Sequence, residues 1–192
     1  MKLHDLQYLP PVTLAASQTV YRVQRIQARP RAASIGSLKM APIGDMYGRF
    51  ALATIETCYF AESPETAIYE SLVRREAVSL SISNAAGRQL LCPRTARPVQ
   101  LLDLRQHVSS WPVLQSLRFS ATQEIAAEAV AAGFEGIAYR SAQHYGQDCF
   151  VVFGASLKAL KLVWRKALLL PNGSMHQALA DAIRGGQILL AP

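Results

Sequence analysis

Five side chains stand out as groups that could do chemistry: Arg22, Arg49, Tyr59, Glu70 and Ser141. Arginines grip phosphates through paired N–H donors. A tyrosine offers a ring face and a hydroxyl, and a serine a small hydroxyl. Glu70 is the most informative of the set. It falls seven residues after Ser63 and shares a helical face with Ala67 and Val73, so it points partly toward the core. A carboxylate there is costly to bury without a partner. The competing account is a surface Glu70–Arg74 pair at i,i+4, contributing only about 0.3 kcal/mol. Other familiar sites are missing from the sequence: it has no Walker loop, no HExxH and no GxSxG. His4, His107, His144 and His176 are scattered, which indicates neither a metal cluster nor a serine triad, and His144 beside Gly146 reads as a surface turn histidine.

These residues sit at the ends of expected strands and on the best-marked helix. YRVQRI (21–26) alternates as a strand and carries Arg22. A long Gly-, Pro- and Ser-rich stretch follows and ends at Gly48-Arg49; such a loop in a compact domain is usually functional or disordered. TIETCYFA (54–61) reads as a strand bearing Tyr59. Ser63 is then a good N-cap, Pro64 suits the first helical position and Glu65 favours the dipole, which predicts a helix to about Arg75 with Ile68 and Leu72 inward. VSLSIS (78–83) and VQLLDLR (99–105) are expected strands joined by a connection through Gly87 and Pro93. Ser120 and Gln123 form a capping-box pattern for a second helix closed by Gly133. GIAYRS (136–141), ending in Ser141, CFVVF (149–153) and KLVWR (161–165) are further strands, and Ser174 is the expected cap of a short helix through Arg184. The mixture is α+β, and without a strand–GxGxxG–helix unit it disfavours a Rossmann fold.

The 192 residues are 51% hydrophobic and 17% charged, enough for one core and incompatible with intrinsic disorder. No apolar run reaches the ~18–20 residues of a membrane span. The opening MKLHDLQYLPP, interrupted by His4 and Asp5, does not read as a secretory signal. Three cysteines, Cys58, Cys92 and Cys149, lack metal spacing and read as buried free thiols of a reducing compartment. The net charge of +7 admits nucleic acid, a phosphate-bearing ligand or an acidic partner. There is no lysine-rich tail or basic helix stripe, which argues against nucleic acid as the main ligand.

On these residues the sequence resembles the RES-domain family, the toxins of bacterial RES–Xre toxin–antitoxin pairs. YRV at 21–23 is similar to the family's early strand arginine, and Gly48-Arg49-Phe50 to its Gly-Arg-Trp motif. CYFAESPETAIYES (58–71) resembles its tyrosine strand, serine cap and Ala-x-x-Glu helix. GIAYRSAQHYGQDCFVVF (136–153) resembles its Gly-Ile-x-Tyr-x-Ser segment, glycine turn and core strand. The family often has a second glycine before the arginine and Trp-Asn after it; here Tyr47 precedes Gly48, and Phe50-Ala51 follows Arg49.

The resemblance implies one RES-like domain over 1–192, with a core from about 18 to 165 and a C-terminal extension from about 166 to 192. It implies an ADP-ribosyltransferase-like fold, a split mixed β-core with flanking helices around an NAD cleft. NAD⁺ is then the substrate, cleaved at the nicotinamide–ribose bond without a metal. Nicotinamide leaves as a neutral group, so the acid's task is to steady a cationic ribosyl centre, as glycosidase carboxylates do. Under the resemblance Glu70 takes that role, with Arg49, Tyr59 and Ser141 beside it as catalytic residues. Arg22 and Arg49 bind the pyrophosphate, while Tyr59 and Ser141 contact the ribose, the nicotinamide or a phosphate. A phosphate acceptor would call on Arg140, Arg29 or Arg31. The partners implied are a cognate Xre-type helix-turn-helix antitoxin or an immunity protein, with no membrane, and the family analogy allows a homodimer. The location implied is cytoplasmic, with export as an effector left open. The alternatives are ADP-ribosyl transfer to a protein or RNA, and a non-enzymatic basic nucleic-acid-binding module.

Overall fold

A computed structural model describes residues 6, 8–74, 76–116 and 118–192. Its largest element is a five-stranded sheet. Strands β1 (Pro11–Leu14), β5 (Thr57–Ala61), β8 (Val99–Asp103), β9 (Gly136–Arg140) and β10 (Asp148–Phe153) lie in the order β1-β8-β9-β10-β5. Only β8 and β9 run parallel, joined by a crossover through helix α3 (Phe119–Ala131); the other neighbours are antiparallel. A second, antiparallel sheet has the order β11-β7-β2, from β2 (Arg22–Arg25), β7 (Arg88–Thr95) and β11 (Leu160–Ala167). The two sheets meet at Tyr21, which exchanges 2.8 Å backbone hydrogen bonds in both directions with Ala61 at the end of β5. The core is therefore α+β, as the pattern of elements predicts, and takes the split mixed form with flanking helices that the family resemblance implies.

Period-2 alternation gives the large sheet two apolar faces. Cys58, Phe60, Val99, Leu101, Ala138, Phe150 and Val152 face one side. That side is covered by the 3-10 turn Gly154–Ala159 and by the hairpin of β3 (Ala33–Ile35) and β4 (Leu38–Met40). Ala61, Leu102, Ile137, Tyr139, Cys149, Val151 and Phe153 face the other side and meet the helices. The three cysteines are buried and unpaired, as their spacing predicts.

Helix α1 (Pro64–Ser71) starts as expected. The Ser63 Oγ accepts from the Thr66 N–H at 3.1 Å, Pro64 opens the first turn, and Ile68 and Leu72 are buried. It stops at Ser71, earlier than the predicted end near Arg75, which lies outside the described residues. Arg74 is consequently beyond the helix, and no Glu70–Arg74 ion pair forms among the described residues.

The segment Arg88–Thr95, read from sequence as a connection, is the central strand of the second sheet. Pro93 is tolerated because the β11 register shifts beside it, between Leu162 and Trp164. VSLSIS splits into β6 (Ser79–Ser81) and the short helix α2 (Ile82–Ala86). Helix α3 begins at Phe119 with no side-chain cap, so Ser120 and Gln123 lie inside it rather than capping it; Gly133 does follow its end, at φ +88°. The last helix, α4 (Gln177–Gly186), is capped by His176 and not by Ser174. Leu168, Leu179, Ala182 and Ile188 join the main core, and β12 (Leu189–Ala191) pairs in parallel with β6, so the C-terminal segment is built into the fold. No helix among the described residues is long and apolar enough to cross a membrane.

Candidate functional site

A cavity of about 270 Å³ opens where the two sheets diverge, lined by Arg22, Arg49, Tyr59, Glu70 and Tyr139 among others. Four of the five residues singled out from sequence thus share one space. The fifth, Ser141, lies directly behind it. Ser141 is fully buried and its hydroxyl donates to Glu70 Oε1 at 2.5 Å. The same Oγ accepts from the backbone N–H groups of Gln143 (3.1 Å) and His144 (2.8 Å). Two incoming donors leave the hydroxyl proton directed at the carboxylate. Ser141 therefore fixes the rotamer of Glu70 and is not itself open to a ligand.

The turn after Ser141 is held from outside. Asp148 takes charged hydrogen bonds from Arg105 (2.6 Å) and from Arg140, and Arg140 also donates to the Gly146 carbonyl at 2.7 Å. Burial works against the charge on neighbouring Asp103, but hydrogen bonds from Arg105 keep its carboxyl below the ordinary range. His144 is half-buried, with Nδ1 2.9 Å from the Thr66 hydroxyl and its ring 4.4 Å from that of Tyr69. Burial lowers its pKa, so the neutral imidazole is favoured. It pins the turn to the first turns of α1 instead of lying on the surface.

The two arginines differ sharply. Arg22 gives Nη1 to the Tyr59 carbonyl (2.9 Å) and Nη2 to the Lys39 carbonyl (3.0 Å), tying β2 to β5 and β4, and only its buried Nε has no hydrogen-bond partner. Arg49 has Nε and Nη1 buried with no hydrogen-bond partner, and its Cζ lies 5.8 Å from the Tyr139 ring centroid. Buried N–H groups are almost always satisfied. An unsatisfied guanidinium beside a cavity is what an anion or a carbonyl oxygen would complete.

Tyr59 and Gly48 shape the arginine's setting. Tyr59 Oη accepts the Phe50 N–H at 3.0 Å, which leaves its own proton free for a ligand. Burial pushes the phenol well above its ordinary range, against the hydrogen bond from Phe50 and the charges of Arg49 and Arg22, so it stays protonated. A Cβ on Gly48 would come 2.4 Å from that oxygen, and glycine is required there.

Other site residues escaped the sequence reading. Tyr139 lines the cavity and packs on Phe50 at 4.9 Å between centroids. Period-2 alternation within GIAYRS, which sets it on the same face as Ser141, was its available signal. Thr122 and Gln123 hold the arginine loop from α3. Thr122 Oγ1 donates to the Arg49 carbonyl at 2.5 Å, and Gln123 Nε2 to the carbonyls of Met46 (2.7 Å) and Gly48 (3.0 Å). Nothing in the sequence marks that long-range pairing. Arg29, Arg31 and Arg140, the candidates for an acceptor phosphate, do not line the cavity; Arg29 and Arg31 are exposed, and Arg140 is engaged by Asp148. Arg74 lines it instead. No group of three or more metal-ligating side chains gathers among the described residues.

Residues 19–168 match the family model of the RES domain. A chain of the crystal structure of the M. tuberculosis MbcT–MbcA toxin–antitoxin complex shares the fold, with a TM-score of 0.60 at 17% identity, over 81% of this chain and 86% of that one. No curated protein matches the chain.

Proposed function

This chain belongs to the RES-domain family, and on that premise we propose that it cleaves the nicotinamide–ribose bond of NAD⁺ as the toxin of a toxin–antitoxin pair. The observation that carries the reading is one cavity holding both a serine-braced carboxylate and a buried, unpartnered guanidinium. Ser141 occupies Glu70 Oε1, so Oε2 faces the reacting sugar. As the C–N bond breaks, the electron pair leaves with nicotinamide, which departs neutral, and positive charge builds on the ribosyl carbon and ring oxygen. The Glu70 carboxylate stabilises that charge and accepts hydrogen bonds from the ribose hydroxyls. Arg49 supplies Nε–H and Nη1–H to the pyrophosphate, and Tyr59 donates its free proton to a ribose or phosphate oxygen. Arg22, already bonded to two carbonyls, contributes mainly through its charge.

Water or inorganic phosphate then captures the ribosyl cation, making the protein a glycohydrolase or a phosphorylase of the cytoplasm. A cognate antitoxin of the Xre helix-turn-helix type holds it in check. An antitoxin partner is supported by a structural neighbour that is itself part of a toxin–antitoxin complex, and its Xre type rests on the family resemblance alone. The test is nicotinamide release from NAD⁺ by the pure protein, with and without phosphate. Glu70→Gln keeps the shape and the Ser141 contact but removes the charge, so turnover should fall by about 100-fold or more. Full turnover in that variant refutes the role of Glu70, and labelled ADP-ribose accumulating on a protein or RNA points to transfer instead.

A further inference from the structure

The cavity of about 270 Å³ is slightly smaller than the ~300–1,000 Å³ of pockets that enclose drug-sized ligands. A dinucleotide is larger than such ligands. With its nicotinamide riboside at Glu70, the far half of NAD⁺ must extend past the mouth. At that mouth stands Tyr47, which lines the cavity yet is 89% exposed. Its backbone is held on both sides, because Gln123 bonds the carbonyls of Met46 and Gly48, and its own N–H donates to Asp45 Oδ1 at 3.2 Å. A large aromatic ring is therefore presented to solvent on a braced segment, where it adds nothing to the core. Phe119, half-buried at the start of α3, lines the same cavity.

We propose that Tyr47 is a binding residue for the adenine end of NAD⁺, its ring stacking on the base that projects from the cavity. The proposal rests on the reading of NAD⁺ as substrate. Stacking a base on an aromatic side chain is tolerant of ring substituents and depends on the π-face, not on the hydroxyl. The nicotinamide half, held by Glu70 and Tyr59, should be indifferent to it.

The experiment measures nicotinamide release from NAD⁺ and from nicotinamide mononucleotide, which lacks the adenosine half, by the wild type, Tyr47→Ala and Tyr47→Phe. The expected result is a rise of about tenfold in KM for NAD⁺ in Tyr47→Ala with kcat within about twofold. It comes with an unchanged kcat/KM for the mononucleotide and near-complete rescue by Tyr47→Phe. Equal losses on both substrates would overturn the proposal, as the ring would then serve the inner half; so would an unchanged KM for NAD⁺. Absence of nicotinamide release by the wild type overturns the NAD⁺ reading and this proposal with it. Active wild type with an indifferent Tyr47→Ala overturns this proposal alone.

Discussion

The contact between Gly48 and Tyr59 allows a quantitative test of how the arginine loop is built. A methyl group on Gly48 would lie 2.4 Å from Tyr59 Oη, 3.1 Å from Cζ and 3.2 Å from Cε2. The ring has little room to retreat. It projects from β5, whose Tyr59 carbonyl is held by Arg22, and its hydroxyl is bonded to the Phe50 N–H. Overpacking of this kind costs about 1–3 kcal/mol, and loss of the Phe50 bond adds about 1 kcal/mol. Gly48→Ala is expected to destabilise the protein by about 2–4 kcal/mol in urea unfolding. Tyr59→Phe alone should cost about 1 kcal/mol, because the Phe50 N–H loses its acceptor. With phenylalanine at 59 the oxygen is gone and the nearest ring atom stands at 3.1 Å, a contact that a shift of a few tenths of an ångström relieves. Gly48→Ala should then cost about 1 kcal/mol, leaving the double variant about 1–3 kcal/mol more stable than the sum of the singles. Equal costs of Gly48→Ala in the two backgrounds would show that the glycine is not there for the tyrosine. The same substitution displaces Arg49, so nicotinamide release should fall even in protein that remains folded.

Two further outcomes follow from other contacts. Glu135 accepts a salt-bridged pair of hydrogen bonds from Arg97, with further donors in the Gln100 N–H and the Ser156 hydroxyl, and these hold its pKa down to about 2 from an ordinary 4.5. A depressed carboxylate stabilises the fold above its unfolded pKa and loses that contribution as pH falls through the folded value. The stability gap between the wild type and Glu135→Gln should be about 1–2 kcal/mol at pH 7, given that Arg97 is half-exposed, and should close between about pH 4.5 and 2; parallel pH curves would contradict it. Thr122→Val keeps the buried shape and strips the donor from the Arg49 carbonyl, with an expected loss of about 1–2 kcal/mol in urea unfolding and a raised KM for NAD⁺. A variant that kept both values would show that α3 does not brace the loop.

What could be read in advance divides along a physical line. Two local signals, the Ser63-Pro64-Glu65 start of α1 and the Gly133 end of α3, depend on neighbours in sequence and lie where expected, whereas Ser174 does not cap α4 and α1 ends at Ser71. The bulge that accommodates Pro93 in β7 comes from β11, some seventy residues on, so the strand was hidden. Ser120 and Gln123 have capping-box spacing, yet Gln123 is drawn to the Met46 and Gly48 carbonyls, a tertiary demand that overrides the local one. In the site, residue types and order were enough to bring Arg22, Arg49, Tyr59 and Glu70 to one cavity. The direction of the Ser141 hydroxyl was not legible, because it depends on the turn at 143–144 donating two N–H groups from behind.

The unequal use of the two arginines bears on how such a site can be both stable and receptive. A guanidinium brought to a cavity without partners is expensive in the empty state, and two side by side would also repel. Here both terminal nitrogens of Arg22 are engaged in advance by the Tyr59 and Lys39 carbonyls, so that only its Nε is left open and the side chain serves as a strut between β2, β4 and β5. Arg49 carries two of the unsatisfied N–H groups, Nε and Nη1, against the single Nε of Arg22, and the cost is met by bracing on every side: the Thr122 bond to its carbonyl, the Gln123 bonds to the preceding segment, the Tyr59 bond to Phe50 and the Tyr139 ring beneath the guanidinium. The hydrogen bonds hold the loop backbone and the ring meets the face of the guanidinium, so Nε and Nη1 stay open. A ligand anion arriving there loses little to reorganisation, because the protein's share of the ordering is already done at folding. The same logic applies to Glu70, whose Oε1 is braced by Ser141 and whose Oε2 would, on the proposed reading, meet the sugar. Preorganisation of one carboxylate and one guanidinium, each held by neutral neighbours, is what the split between the two sheets makes room for.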